Sequence, residues 1–328
     1  MQAVNQVVLA DEIIAGLVRE FGSQVQQDVP LAGRTTMKVG GIARLYLTPH
    51  GTSQLQGMLA RLKQLSVPVL VLGGGANVVV ADEGVSRAAV ISVMEHMNNI
   101  ADIRIQRGQV SVTAEAGVRL TTLVQFCQQQ GWGGMEFLAG IPGSVGGAAV
   151  MNAGAFGREF GDLLMAMSCC DYDGQLSCCS RNELFMTYRD GGVAPDQVVV
   201  SVCLLLQPAL PETIAAKMAE YREIRRQRQP WGVPSAGSVF KNPPGDYAGR
   251  LIEAAGCRGR RQGKARVADQ HANFITTEPG ATAADVFRLI DEVKMLVYRQ
   301  FGVLLEEEII RFSDDHCLVV SDVPQEEM

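Results

Sequence analysis

The hydrophobic pattern divides the chain into stretches of different period. Near the N-terminus, Ile13, Ile14, Leu17 and Val18 share one face of a helix predicted over residues 8–21. Residues 34–48 read as a turn and strand, and residues 52–65 as a second helix. Apolar runs at 67–72 and 78–81 flank Gly73-Gly74-Gly75-Ala76-Asn77, which reads as strand, tight turn, then strand or helix. Helix alternating with short apolar strand predicts a small α/β lobe. From about 90 to 207 strand patterns dominate, at 110–114, 163–170, 176–180 and 198–206. One helix interrupts them over 118–129, with Leu120, Leu123, Val124 and Cys127 at helical spacing.

The last stretch is helical again. Residues 212–228 read as a charged helix ending in Arg225-Arg226-Gln227-Arg228, followed by a Pro-containing linker at 229–234. Val286, Leu289, Ile290, Val293, Val297 and Phe301 repeat at i, i+3, i+4 and predict a helix over 283–301. Thr282 with Asp285 forms a capping pair and Gly302 a stop. Val303–Leu305 reads as a strand ending in Glu306, Glu307 and Glu308, where alternation would turn Glu306 and Glu308 to one face. The expected division is 1–90, 91–210 and 211–315, with a tail over 316–328 that is acidic and frayed from Asp322 onward. The fold class is α+β.

Composition narrows the function classes. The chain has 328 residues, 47% hydrophobic and 20% charged, and a formal charge of −6. That balance argues against general nucleic-acid binding. No apolar run approaches the roughly 18 residues of a membrane helix, and no leader pattern opens the chain, so a cytoplasmic location without membrane insertion is expected. The eight cysteines contain no CxxC pair, and the four histidines lack metal-ligand spacing, so no metal is expected. Cys169-Cys170 and Cys178-Cys179 flank the turn signal Asp173-Gly174, which would set Cys169 opposite Cys178. That pair reads as reduced half-buried thiols, a cross-strand disulfide or half a metal site.

The candidate chemistry begins with glycine. Residues 138–157 carry glycine at 140, 143, 146, 147, 154 and 157, and nearly every other residue there is small. Such a segment suits a backbone that must approach something closely, a phosphate above all. With Gly73–Asn77 it suggests a grip on a diphosphate, with Asn77 and Asn152 as polar handles; tight turns are the competing reading. Neither cluster is a Rossmann fingerprint or a Walker loop. Ser238, between Gly237 and Val239 and close to Lys241, is either a capping residue or a proton donor, and no hydrolase elbow surrounds it. Arg189 either pairs with a surface carboxylate or serves a site. The basic groups at 225–228 and at Arg258, Arg260, Arg261, Lys264 and Arg266 are solvated surface or seats for an anionic substrate such as a nucleotide diphosphate.

Taken in order, these residues resemble a known family. Thr35-Thr36-Met37 with Gly40-Gly41, Gly73–Asn77, Gly140-Ile141-Pro142-Gly143-Ser144-Val145-Gly146-Gly147, Met151-Asn152-Ala153-Gly154, Tyr188-Arg189, Gly237-Ser238-Val239-Phe240-Lys241-Asn242-Pro243, His271-Ala272-Asn273-Phe274 and Leu305–Glu308 occur in the order of the UDP-N-acetylenolpyruvoylglucosamine reductases, in the shorter, second type. The resemblance covers about residues 28–312. It implies a two-lobed FAD-binding domain of the p-cresol methylhydroxylase type and a C-terminal α+β substrate domain. It implies non-covalent FAD, NADPH as co-substrate, and UDP-N-acetylglucosamine enolpyruvate as substrate. Thr36, Gly73, Gly74, Gly75, Asn77, Gly140, Ile141, Pro142, Ser144, Val145, Gly146, Gly147, Asn152 and Gly154 would touch FAD. Tyr188, Arg228, Lys241 and Asn242 would bind substrate. Hydride would pass to the vinyl C3 and a proton to C2.

The residue types suit that chemistry. Hydride addition at C3 builds an enolate on the adjacent carboxylate, which a fixed cation stabilises; the motif gives this role to Arg189. Glu308 can join only if it is protonated or neutralised by a partner. Ser238 is the matching proton donor. Two positions depart from the family pattern. Ala76 stands where serine is usual, so a phosphate hydrogen bond would be missing. Gly191 also replaces a usual serine, which would loosen Arg189. Another flavoprotein of the same fold, or a nucleotide-binding regulator without chemistry, are the alternatives; a colourless protein that binds no FAD would exclude the reductase.

Overall fold

A computed structural model describes residues 8–316 of the chain, so the acidic stretch from Asp322 lies outside the described residues. Helix α1 (Asp11–Phe21) buries Ile14 and Leu17 of the expected face. Helix α2 (Thr52–Gln64) buries Leu55, Met58, Leu59 and Leu62. Both pack on one face of a mixed sheet whose strands run in the order Val25–Pro30, Ile42–Leu47, Val85–Ile91, Val69–Val71. The first pair is antiparallel and the other two are parallel. The central strand Val85–Ile91 carries a polar Ser86-Arg87 pair that hides its strand pattern. Those polar groups are held from the far end of the chain: Asp314 accepts from the Ser86 N–H and hydroxyl and from the Arg87 N–H.

The second lobe is an antiparallel sheet in the order Leu176–Ser180, Leu164–Asp171, Gln197–Pro208, Gln109–Glu115, Ile100–Gln106. Its apolar face, with helix α3 (Leu120–Gln129) and the short helix α4 (Val145–Val150), joins the same continuous core as α1 and α2. The edge strand Ile100–Gln106, exposed along nearly its whole length, shows no one-sided apolar pattern and escapes a sequence reading. The cysteine hairpin is shifted by one residue from expectation. Cys169 faces Ser177, and Cys178 faces Ser168. The loop takes in an extra residue because the Asp171 carboxylate accepts from the N–H groups of Asp173 and Gln175, with Gly174 left-handed (φ 77°). The seven described cysteines are free thiols. Burial is the main cause that pushes the Cys169 thiol up to about 12, with neighbouring thiols adding to it.

Helix α5 (Pro211–Arg228) leads through residues 229–234 to the third lobe. There a sheet ordered Ser235–Ser238, Phe274–Thr277, Ala265–Val267, Arg261–Gln262 packs with α6 (Ala248–Ala254) and α7 (Ala283–Phe301). The Thr282–Asp285 capping box and the left-handed Gly302 stop are both present. Val303–Leu305 is not a strand: Leu305 is buried in the lobe core, and the nearest pairing is a single bridge between Glu307 and Phe240.

The third lobe is stitched to the first. Its core includes Met37, Val39 and Val79. Strand Ile310–Phe312 runs parallel to Val78–Val80. The Thr277 hydroxyl donates to the Met37 carbonyl (2.8 Å). Asp82 accepts from the Ala283 and Ala284 N–H groups (2.7 and 2.9 Å), capping α7 from another lobe. Asp82→Ala is expected to lower the unfolding free energy by about 1 kcal/mol, read by urea denaturation at pH 7. An unchanged midpoint would mean the cap contributes nothing.

Candidate active site

Two glycine turns touch. A Cβ on Gly74 would fall 2.5 Å from Gly143 Cα, and one on Gly73 would fall 2.6 Å from Ser144 Oγ. At Gly74 a side chain is excluded by the opposing backbone, and at Gly73 by the Ser144 hydroxyl. Gly75, at φ 62°, is held by Thr36, whose N–H and hydroxyl both donate to its carbonyl (2.9 and 3.3 Å). Among the described residues, the N–H groups of Gly73, Gly74, Gly75, Ala76, Gly140, Gly143 and Ser144 reach no protein acceptor. Unspent N–H groups on adjoining turns make a nest for an oxyanion, so the residues present fit the diphosphate of FAD.

The segment beyond this nest is different from expectation. The Val145 and Gly146 N–H groups donate to the carbonyls of Val118 and Ala116 (2.9 and 2.8 Å), and Gly147 N–H to Ser144 Oγ (3.1 Å). The first turn of α4 therefore offers these groups to its own fold. Gly146 is small because a Cβ would lie 2.7 Å from that of Ala116. Ile141 N–H is likewise spent on Leu138, and Pro142 has none. Asn77 and Asn152, expected as polar handles, are both tied into the fold. Asn77 Nδ2 donates to the Glu308 carbonyl (2.9 Å), and the Asn77 carbonyl accepts from Ile310 N–H. Asn152 is buried, and its amide bonds Glu159, the Thr187 carbonyl and the Gly161 N–H.

These clamps place Arg189. Thr187 and Asp190 exchange both backbone hydrogen bonds, leaving Tyr188 and Arg189 at the corners of a tight turn. Arg189 takes φ 62°, a left-handed conformation that costs a non-glycine residue about 1 kcal/mol or more. Its guanidinium lies 4.9 Å from the Tyr188 ring centroid and beside Gly154. Gly191 does not loosen this turn. Its N–H donates to Val150 O (2.8 Å), and a Cβ there would collide with the Ala149 carbonyl. The missing side chain lets the turn lie directly on the end of α4.

Arg189 Nε reaches Glu308 Oε1 at 2.7 Å, with side chains only 18% and 11% exposed. Burial raises the Glu308 carboxyl above the ordinary range, against the opposing pull of Arg189 and Lys241. Ser238 stands on the next segment, after Gly237 at φ 79°. Val239 O accepts from Glu308 N–H (2.8 Å), and Lys241 N–H donates to Glu306 O (2.9 Å). Buried Asn273, within the His271–Phe274 motif, grips both the N–H and the carbonyl of Phe240 (3.0 and 2.8 Å). Arg189 and Glu308 therefore meet, and the segment that carries Ser238 runs beside Glu308. Glu306 does not join them, since it turns outward to Lys241 Nζ (2.6 Å). Asn242 spends its carbonyl on the Ala248 N–H (3.0 Å) at the start of α6. Arg228 is exposed at the end of α5, and Arg225 is the arginine of its cluster that turns inward. Ile214, Met218, Tyr221 and Arg225, at i, i+4, i+7 and i+11, form the covered stripe of α5, so helical spacing marks Arg225 as the inward member.

Comparison with known proteins decides the family. The C-terminal domain of UDP-N-acetylenolpyruvoylglucosamine reductase matches residues 229–312, and an FAD binding domain matches 43–180. The chain is 42% identical to the UDP-N-acetylenolpyruvoylglucosamine reductase of Moorella thermoacetica, over 93% of this chain and 98% of that one. It belongs to the UDP-N-acetylenolpyruvoylglucosamine reductase family. The Geobacter metallireducens reductase is 40% identical over 91% of this chain and 97% of its own length. The crystal structure of the Thermus caldophilus reductase, 34% identical, superposes with a TM-score of 0.72, covering 88% of this chain and 98% of that one. The α+β architecture, an FAD-binding part followed by the reductase C-terminal domain, agrees with these matches.

Glu307, next to Glu308 in sequence, is a structural anchor. Burial would raise its carboxyl, but Arg311 and Lys294 (2.9 and 3.0 Å) outweigh that and hold it below the ordinary range. A depressed carboxylate contributes stability above its unfolded pKa and loses it as pH falls through the folded value. Glu307→Gln should therefore cost about 1–3 kcal/mol at pH 7 and progressively less on acidification below about pH 4, measured by chemical denaturation. A penalty independent of pH would contradict the ion-pair role.

Proposed function

We propose that Arg189, Glu308 and Ser238 form the catalytic set of this reductase. The chain is an FAD-dependent oxidoreductase that uses NADPH to reduce UDP-N-acetylglucosamine enolpyruvate to UDP-N-acetylmuramate, in peptidoglycan precursor synthesis. The observation that carries the assignment is the Arg189–Glu308 pair, which joins two distant motifs at 2.7 Å beside the serine segment.

When bound, FAD supplies the hydride carrier between NADPH and the enolpyruvyl double bond. The unspent N–H groups of Gly73–Ala76, Gly140, Gly143 and Ser144 support a non-covalent cradle for its diphosphate. Thr36 orders that cradle, while Asn77, Asn152 and the glycines of α4 fix it from behind. Arg189 faces the negative charge that develops on the substrate carboxylate; its left-handed backbone and Tyr188 hold it in place, so little reorganisation accompanies the reaction. Glu308, pushed toward its neutral form by burial, shares a proton with that carboxylate and keeps Arg189 oriented. The Ser238 hydroxyl delivers a proton to C2, on a loop that Asn273 keeps rigid. Lys241 adds positive charge beside Glu308. Tyr188 and Arg228, both exposed, contact the UDP-sugar. Asn242 acts by fixing the start of α6 beside that ligand. No described helix is long and apolar enough to cross a membrane. Free cysteines and the use of NADPH and a UDP-sugar support a cytoplasmic location.

Ser238→Ala should leave flavin bleaching by NADPH within about twofold of the parent. Reoxidation by the enolpyruvyl substrate should slow by about 100-fold or more, as read by anaerobic stopped-flow absorbance. Equal loss of both half-reactions would remove Ser238 from the proton-donor role.

A further inference from the structure

Arg225 is a guanidinium without a counter-ion in a place built to hold it. Its Nε is buried and reaches no partner, and among the described residues no carboxylate lies within ion-pair distance. Its two other polar contacts are long: 3.4 Å to the Phe137 carbonyl and 3.5 Å to Gln229 Oε1. Leaving a buried cation so weakly satisfied is costly unless an anion arrives. Burial, then the charge of nearby Arg189, pulls its pKa down to about 10.

Two unusual backbone positions surround it. Gly140, at φ 86°, has Arg225 Cδ only 3.4 Å from where its Cβ would stand, and Trp231 at 3.7 Å. Phe156, a non-glycine residue at φ 55°, presents its ring 5.4 Å from the guanidinium carbon. That ring is stacked on Tyr221 with centroids 4.1 Å apart, and Lys217 Nζ lies 4.8 Å from the Tyr221 ring centroid. A strained turn and an absent side chain thus frame one cation between an aromatic ledge and the Gly140 turn of the FAD cradle.

We propose that Arg225 is a second anion-binding cation of the active site, seating an oxyanion of the nucleotide ligands that enter beside the flavin. Arg189, whose charge bears on it, is paired with Glu308, so of these two neighbouring cations Arg225 is the one without a carboxylate partner among the described residues. Both substrates carry suitable groups: phosphates on each, and a carboxylate on the UDP-sugar. The inference rests on the reductase reading above.

The test uses FAD-loaded enzyme, with Arg225→Met to keep the aliphatic stem and Arg225→Lys to keep the charge. UDP-N-acetylglucosamine, UDP-N-acetylmuramate and NADP+ are titrated by calorimetry at two salt concentrations. Arg225→Met should bind at least one of them about tenfold to hundredfold more weakly, with reduced salt dependence and partial recovery in Arg225→Lys. A loss confined to the muramate nucleotide assigns the carboxylate. An equal loss for both UDP-sugars assigns the UDP phosphates, and a loss for NADP+ alone assigns the cofactor phosphates. Unchanged affinity for all three would overturn the proposal, as would failure of Arg225→Met to retain FAD, which would make the residue part of the fold or the cofactor cradle. Failure of the parent enzyme itself to be bleached by NADPH would instead defeat the reductase reading.

Discussion

The site depends on one ion pair that spans the chain. Arg189 comes from a turn on the second lobe, and Glu308 comes from the segment that returns from the third lobe to the first. Neither charge is tolerable alone at such low exposure. Together they are stable, and burial leaves Glu308 easier to protonate than a surface glutamate. The pair proposed for the chemistry sits at the closure of the fold: Glu308 leads directly into strand Ile310–Phe312, which is docked on Val78–Val80. Asn77 ties the same docking to the cofactor turn through the Glu308 carbonyl.

Much of the remaining architecture fixes that meeting point. Asn152 and Gly191 pin the Arg189 turn to the end of α4, and Asn273 pins the Ser238 segment. Asp82 and Asp314 hold the third lobe and its C-terminal extension against the first. The substrate lobe is anchored to the first lobe through shared core residues. The Arg189–Glu308 ion pair is one of its polar links to the second lobe.

Periodicity made the helices legible. The faces of α1, α2, α3 and α7, and the capping box at Thr282, follow directly from side-chain spacing. Glycine density marked the cradle but not its working parts. The sequence pattern cannot distinguish a glycine whose N–H reaches no protein acceptor, as at Gly74, from one that lets a helix lie against a neighbouring segment, as at Gly146. Asn77 and Asn152 read as ligand handles from their place among glycines; the fold shows that the Asn77 Nδ2 group and both ends of the Asn152 amide also bond protein groups distant in sequence. The strand Val85–Ile91 was hidden by polar groups whose partner, Asp314, lies far away in sequence. The hairpin register slipped by one because an aspartate side chain reshaped the turn. Arg225 was visible in the α5 spacing but was hidden among neighbouring arginines.

The most direct test of this account is a double-mutant cycle on the Arg189–Glu308 pair, using Arg189→Met, Glu308→Gln and the double variant. Reoxidation of NADPH-reduced enzyme by the enolpyruvyl substrate would be followed in single turnovers. If the two residues act as one unit, each single change slows reoxidation by about 100-fold or more. The double variant is then no slower than the worse single one, and flavin reduction is largely preserved. Fully additive losses, or an equal loss of flavin reduction by NADPH, would contradict it.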